Sequence, residues 1–276
     1  MSKKNPEYDF KWCPGCGDFG VRRAIEFAMI GRKEETGQPM ENNVVVAGIG
    51  CSGNLVHLLE GDQPYGIHGI HGRSLPIALG VKMAQPTLNV VVVAGDGDFL
   101  SIGGEHIAPQ AARNLNICAV IMDNGVYGLT KGQFSATTEE GATTKKGLAN
   151  ELPPIDLCAL AIQMVAGFVA RAFSGSAKQL TALLQAALSF NGTALVDVIS
   201  PCVTFFNNEG STRSYPYMKD HDRELHTIDY IPHFDPIEQI EVDSGEVRDI
   251  TMHDGSRVRL RGVGLDYDPQ DRRCLL

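Results

Sequence analysis

Two clusters of acidic and amide side chains carry the clearest chemistry in this chain. Gly95, Asp96, Gly97 and Asp98 close an apolar run from Val90 to Ala94, and Asp123 and Asn124 close a second run from Ile117 to Met122. A carboxylate and an amide carbonyl are hard oxygen donors suited to Mg²⁺, which keeps further positions for phosphate oxygens. Glycines let the backbone come close to a diphosphate, and a helix starting near Gly103 would add its positive end. Apolar runs that each end this way are expected of parallel strands whose carboxyl ends meet at one crevice. Gly-Asp-Gly alone is common in turns, so the reading rests equally on the later Asn124.

Cysteines form the second pattern. Cys13 and Cys16 lie in Trp-Cys-Pro-Gly-Cys-Gly, Cys51 in Gly-Ile-Gly-Cys-Ser-Gly after the run Val44 to Ala47, and Cys202 in Ser-Pro-Cys after Ala194 to Ile199. All four are flanked by Gly or Pro, in loops or at strand ends where thiolates can converge. A Cys-x-x-Cys pair by itself is a redox dithiol or half a zinc site. Four thiolates hold either Zn²⁺ or a [4Fe–4S] cluster, with zinc slightly favoured on spacing. Cys118 and Cys158 lie on apolar stretches and read as core, since buried cysteine behaves as a small hydrophobe. Cys274 has no evident role.

Taken together, these motifs resemble the thiamine diphosphate-dependent 2-oxoacid:ferredoxin oxidoreductases, specifically their separate β subunit. The resemblance covers about residues 11 to 204. It rests on Trp12 to Gly17, Gly48 to Gly53, His71-Gly72-Arg73, Gly95 to Asp98, Asp123 to Gln133 and Pro201-Cys202, in that order. It favours iron–sulfur over zinc and implies Cys13, Cys16, Cys51 and Cys202 as ligands of one [4Fe–4S] cluster. It implies Asp96, Asn124 and the carbonyl of Val126 as Mg²⁺ ligands. Ile49, Gly50, Cys51, Ser52, His71, Gly95, Gly97, Asp98, Gly128 and Leu129 would contact the thiamine cofactor, with His71 also the candidate catalytic residue. Ser52 is equally a turn residue on the bland reading, and Arg73 equally a surface residue at a helix start.

The reaction implied is oxidative decarboxylation of a 2-oxoacid with coenzyme A, with electrons passing through the cluster to ferredoxin; it can run backwards to fix CO₂. The carboxylate that activates thiamine is expected from an α subunit, so the chain alone should be inactive. The ranking of substrates is 2-oxoglutarate, then a broad 2-oxoacid range, then pyruvate. Asn54 stands where some relatives carry a basic residue, which weakens a charge argument for 2-oxoglutarate. The alternatives are an electron-transfer subunit with a vestigial thiamine site, and a non-redox thiamine enzyme with zinc.

The elements that must position these residues alternate. Helical spacing covers Phe19–Ile30, Arg73–Gln85, Glu105–Asn114 (shortened or kinked by Pro109), Asp156–Val165 and Lys178–Phe190. Strands are expected at Val44–Ile49, Val90–Ala94, Ile117–Asp123, Phe168–Phe173 and Ala194–Ile199. This predicts an α/β thiamine diphosphate-binding fold, a mostly parallel sheet covered by helices on both faces. The expected domains are residues 1–204, with both cofactor sites, and a C-terminal extension, residues 205–276. The extension alternates from Glu238 to Val263 around a hairpin turn at His253-Asp254-Gly255-Ser256. The long stretch from Gly125 to Pro154 reads as a lid or subunit contact.

The chain has 276 residues, seven cysteines and a formal net charge of −9. That charge argues against nucleic acid as partner. No apolar run approaches a membrane span of about 20 residues. A polar N-terminus and unpaired cysteines predict a reducing cytoplasm. A docking site for an acidic ferredoxin would need a basic patch, and Lys145-Lys146 is only a pair.

Overall fold

The computed structural model describes residues 10–62, 64–143, 147–208, 211–221, 242–251 and 257–262. Lys145, Lys146, the turn His253 to Ser256 and Cys274 lie outside the described residues. In chain order the elements are α1 (Asp18–Thr36), β1 (Asn43–Ala47), α2 (Leu55–Leu58), β2 (Tyr65–His68), α3 (Ser74–Ala84), β3 (Asn89–Gly95), α4 (Ile107–Arg113), β4 (Ile117–Asp123), β5 (Val126–Tyr127), β6 (Gln133–Phe134), α5 (Leu157–Gln163), β7 (Phe168–Phe173), α6 (Ala177–Ser189), β8 (Thr193–Ile199), α7 (Tyr215–His221), β9 (Val247–Thr251) and β10 (Arg257–Arg261).

Six strands form one sheet in the order β2-β1-β3-β4-β8-β7, and every neighbouring pair is parallel. The central strands are runs of valine, isoleucine and alanine because both of their faces are covered. Alternate residues supply the two faces. Val45, Val91, Val93, Val120 and Val196 pack with Val21, Ile25 and Met29 of α1 and Leu180 and Leu184 of α6. Val44, Val90, Val92, Ile121 and Leu195 pack with Leu75 of α3, Ile107 of α4 and Leu157 of α5. Each such buried side chain contributes about 1.5–3 kcal/mol. The expected parallel α/β sheet with helices on both faces is what this architecture is.

The helix expected from Glu105 is shorter, running Ile107–Arg113, and Asn114 ends it in a left-handed conformation at φ 47°. Pro109 sits in its first turn, where a missing N–H costs least. The helical end nearest β3 is not at Gly103. A wide turn, Gly97–Ile102, starts directly after Asp96 and closes with Gly103 N–H donating to the Asp98 carbonyl over 3.1 Å. Contacts divide the chain into two compact units, Met1–Asp222 and Arg223–Leu276. Residues 205–221 therefore belong with the sheet, held by Phe206 against Val126 and by Arg213 on Asp123. In the second unit β9 and β10 pair antiparallel. Among the described residues no helix is long and apolar enough to cross a membrane.

Candidate active site

The strand order reverses between β1 and β3. The chain leaves β1 outward to β2, then returns across β1 to β3 and continues the other way. Ligands of such sheets bind in the crevice that opens beyond the strand ends at this switch point. Here the crevice is a cleft lined by Ile49, Gly50, Cys51, Ser52, His71, Gly95, Gly97, Asp98, Asn124, Val126, Tyr127, Gly128, Leu129 and Thr130. All the residues expected to touch the thiamine cofactor line it together.

Asp96 is fully buried beneath the cleft. Its Oδ1 faces the backbone N–H of Asn124 at 3.4 Å, and its Oδ2 accepts from the Thr137 hydroxyl at 2.6 Å. Asn124 turns its Oδ1 back to accept from the Val126 N–H at 3.0 Å. The turn Asn124–Val126 thus closes over the end of β4, with the Asp96 carboxylate at its first N–H. Burial, and then the neighbouring Asp123 carboxylate, push the Asp96 carboxyl up to about 6. A cation bound there would oppose both effects by favouring the charged form.

Asp98 accepts from His71 Nδ1 at 3.1 Å and from the Gly72 N–H at 3.0 Å, both on its Oδ1. Its Oδ2 is buried with no hydrogen-bond partner, which is costly unless a ligand supplies a donor. Tyr127 lays its ring over Gly97, where a Cβ would stand 2.6 Å from the ring, and donates its hydroxyl to the Gly97 carbonyl at 3.1 Å. Only glycine fits at that position.

The three loops that carry the four cysteines are fastened to one another. Trp12 Nε1 donates to the Cys51 carbonyl at 2.7 Å, and the Gly17 N–H donates to the Pro201 carbonyl at 3.2 Å. Asp18, the first residue of α1, accepts from the Ser52 hydroxyl at 3.2 Å and from the Ser200 hydroxyl at 2.6 Å. Burial, and next the Asp18 charge, push the Cys51 thiol up to about 12, and they raise the Cys16 thiol as well. Burial is also the main cause that raises Cys202. Cys51 and Cys202 bring their sulfurs to within 3.5 and 3.8 Å of where a Gly128 Cβ would stand. Gly128 also lines the cleft, so the cleft and the cysteine cradle share one wall.

Among the described residues, no three or more His, Cys, Asp or Glu side chains gather as they would around a metal ion. Thiolates on one zinc stand about 3.8 Å apart, the edge of a tetrahedron with Zn–S bonds of ~2.3 Å.

Comparison with known proteins decides the family. The thiamine pyrophosphate enzyme family, by its C-terminal TPP-binding domain, matches residues 48–198. The chain is 38% identical over 241 residues to a 2-oxoacid:ferredoxin oxidoreductase subunit beta of Sulfolobus sp., covering 86% of this chain and 74% of that one. This chain belongs to the β subunits of the 2-oxoacid:ferredoxin oxidoreductases. It is also 38% identical over 194 residues to the 2-oxoglutarate synthase subunit KorB of Archaeoglobus fulgidus, covering 70% of each. Among solved structures it is similar to a 2-oxoglutarate:ferredoxin oxidoreductase from Magnetococcus marinus with 2-oxoglutarate, coenzyme A and succinyl-CoA bound. That likeness has a TM-score of 0.70 at 35% identity and covers 80% of this chain and 73% of that one.

Within this β subunit two residues whose roles were open have protein partners. Arg73 pairs with Glu105 at 3.1 Å and donates to the Gly72 carbonyl at 3.1 Å. Asn54 is buried and donates to the Gly50 carbonyl at 2.6 Å, so it shapes the Cys51 loop. Sequence reasoning did not single out Asp18, Tyr127, Thr137 or Arg213. Asp18 alone had a signal, its place directly after Cys-Pro-Gly-Cys-Gly.

Proposed function

We propose that this chain is the catalytic β subunit of an enzyme that oxidatively decarboxylates 2-oxoglutarate with coenzyme A to succinyl-CoA and CO₂, reducing ferredoxin. The observation that carries the proposal is the wall shared by cleft and cysteine cradle at Gly128. An enzyme that must pass electrons from a thiamine site to a cluster needs that contact, and a non-redox thiamine enzyme does not.

Thiamine diphosphate supplies a carbon nucleophile and electron sink for 2-oxoacids, and the cluster supplies one-electron acceptance. The chain's own residues hold these groups. Asp96, Asn124 and the Val126 carbonyl are a donor set of oxygens alone, which fits Mg²⁺ and is not a His/Cys site. Gly95 and Gly128 line the cleft without side chains, so a diphosphate can approach their backbone, while Gly97 makes room for the Tyr127 ring. Asp98 lines the cleft with its unpartnered Oδ2 buried beside Gly48 and His71 braced on its other oxygen. Cys13, Cys16, Cys51 and Cys202 hold the [4Fe–4S] cluster; sulfurs around an iron–sulfur cube stand further apart than around one zinc, because irons and sulfides lie between them.

The activating carboxylate comes from an α subunit across the crevice, and ferredoxin accepts the electrons. The six described cysteines are all free, which suits a reducing cytoplasm. A broad 2-oxoacid range is the second reading. Asn54 favours it, because its side chain is turned to Gly50 and offers no charge to a distal carboxylate. Assay of the purified αβ complex with 2-oxoglutarate, pyruvate and other 2-oxoacids, coenzyme A and ferredoxin separates the two readings.

A further inference from the structure

We propose that Arg213 is a positioning residue for the metal-binding end of β4, acting through Asp123 on Asn124 and Val126. The inference rests on the reading of Asp96, Asn124 and Val126 as the Mg²⁺ site. Arg213 meets Asp123 as a two-pronged fork: Nε donates to Oδ1 at 2.6 Å and Nη2 to Oδ2 at 3.0 Å. Both side chains are nearly buried, 11% and 2% exposed. Such paired contacts fix orientation as well as charge.

Asp123 directly precedes Asn124, and its Oδ1 also accepts from the Gly125 N–H at 3.2 Å. The Thr137 hydroxyl lies 2.8 Å from Asp123 Oδ1 and 2.6 Å from Asp96 Oδ2. One hydroxyl has one proton and serves one carboxylate at a time. Two buried carboxylates therefore share the one Thr137 proton, and Arg213 is the cation hydrogen-bonded to Asp123. Its stem does a second job. Gly125, at φ +71°, lies under it: a Cβ there would stand 3.2 Å from Arg213 Cδ and 2.9 Å from the Phe206 ring. The loop Asn124–Val126 is thus packed by Phe206 and the Arg213 stem and held through Asp123 by the Arg213 fork.

The same guanidinium reaches Glu139 Oε1 at 3.0 Å, and the Thr212 N–H donates to that oxygen at 2.7 Å. Three stretches far apart in the chain close on one charge cluster: the end of β4, residues 135–139, and residues 211–213. Without Arg213, Asp123 is left as a buried anion beside Asp96, and the loop that carries Asn124 loses its brace.

The test uses the purified αβ complex stripped of thiamine diphosphate and Mg²⁺. Calorimetry measures thiamine diphosphate binding across a Mg²⁺ titration, for wild type and for Arg213→Gln, Arg213→Lys, Asp123→Asn and the Arg213→Gln/Asp123→Asn pair. Arg213→Gln should raise the Mg²⁺ concentration for half-saturation by about 10- to 100-fold, the usual cost of losing an outer brace of a metal site. Affinity at saturating Mg²⁺ should return close to wild type, which a general loosening of the fold would not allow. Arg213→Lys keeps the charge without the fork and should fall between. The double variant should be no worse than the worse single. An unchanged Mg²⁺ requirement in Arg213→Gln, or affinity reduced equally at every Mg²⁺ concentration, overturns the role. If Arg213→Gln does not fold, an unchanged requirement in Arg213→Lys overturns it. A wild-type complex that binds thiamine diphosphate without Mg²⁺ instead removes the metal reading itself.

Discussion

The Ser200 hydroxyl donates to the Asp18 carboxylate at 2.6 Å, across 182 residues of chain. Ser200 stands two residues before Cys202, Asp18 two residues after Cys16, and the other oxygen of Asp18 holds Ser52, the neighbour of Cys51. One buried carboxylate thus ties together the three loops that carry the proposed cluster ligands. Asp18→Ala should leave two buried hydroxyls without their acceptor and let those loops part. Iron and sulfide analysis of the purified complex should show far less than four irons per β chain, with Asp18→Asn, which keeps an acceptor, losing less. Full iron in Asp18→Ala would show that the loops hold without it.

The cysteines divide by position. Cys202→Ser should lose iron and electron transfer, because its sulfur faces Gly128 beside Cys51. Cys118→Ser should keep both, because Cys118 is buried in the sheet at 3% exposure, away from the cradle. Wild-type iron content in Cys202→Ser would remove that residue from the ligand set.

Asp96 is the anionic member of the proposed Mg²⁺ set. Asp96→Ala should weaken thiamine diphosphate binding by more than tenfold, a loss above ~1.4 kcal/mol. The fold should persist, since the residue packs against polar groups of the cleft and not in either apolar cluster. Calorimetry that returns wild-type affinity would deny Asp96 that role.

Much of this was legible in the sequence, for a physical reason. Strands β4 and β7 lie where the apolar runs place them, Ile117–Asp123 and Phe168–Phe173. β4, buried on both faces, writes itself as an unbroken apolar run, and β7, at one edge of the sheet, is still marked by its phenylalanines and valine despite Arg171. The edge strand β2 is not: Tyr65-Gly66-Ile67-His68 is short, contains glycine and is partly exposed. The two-residue pair β5 and β6 and the polar helix α7 gave no periodicity either. The cleft residues were legible because they sit in glycine-rich turns at strand ends. Thr137 and Arg213 were not, because their significance lies in partners 14 to 90 residues away. No local pattern marks a threonine or arginine as the partner of a distant carboxylate.

Asp197 offers a test of the buried charges that is separate from the metal site. It lies inside β8, fully buried, with Arg171 Nε donating to its Oδ2 at 2.9 Å and its Oδ1 without a partner. Burial, then the nearby Asp123, push its carboxyl up to about 7 from an ordinary carboxylate value, against the pull of Arg171. A carboxyl raised on folding binds its proton more tightly in the native state, so its contribution is complete at low pH and is lost as pH rises through the folded value. Asp197→Asn has no proton to lose. Its melting temperature should therefore gain on wild type as pH rises from about 4 to 7. A constant difference across that window would mean that Asp197 titrates alike in the folded and unfolded chain.

The central claim is that this β subunit turns over 2-oxoglutarate with its α partner and passes the electrons through its own cluster. The most direct measurement is anaerobic ferredoxin reduction by purified α and β chains, mixed and apart, with 2-oxoglutarate and coenzyme A, followed together with succinyl-CoA. The account predicts ferredoxin reduction and succinyl-CoA in the mixture, none from either chain alone, and a brown β chain whose visible absorption bleaches with substrate. A colourless β chain holding zinc, or a β chain that oxidises 2-oxoglutarate at full rate without the α subunit, would contradict it.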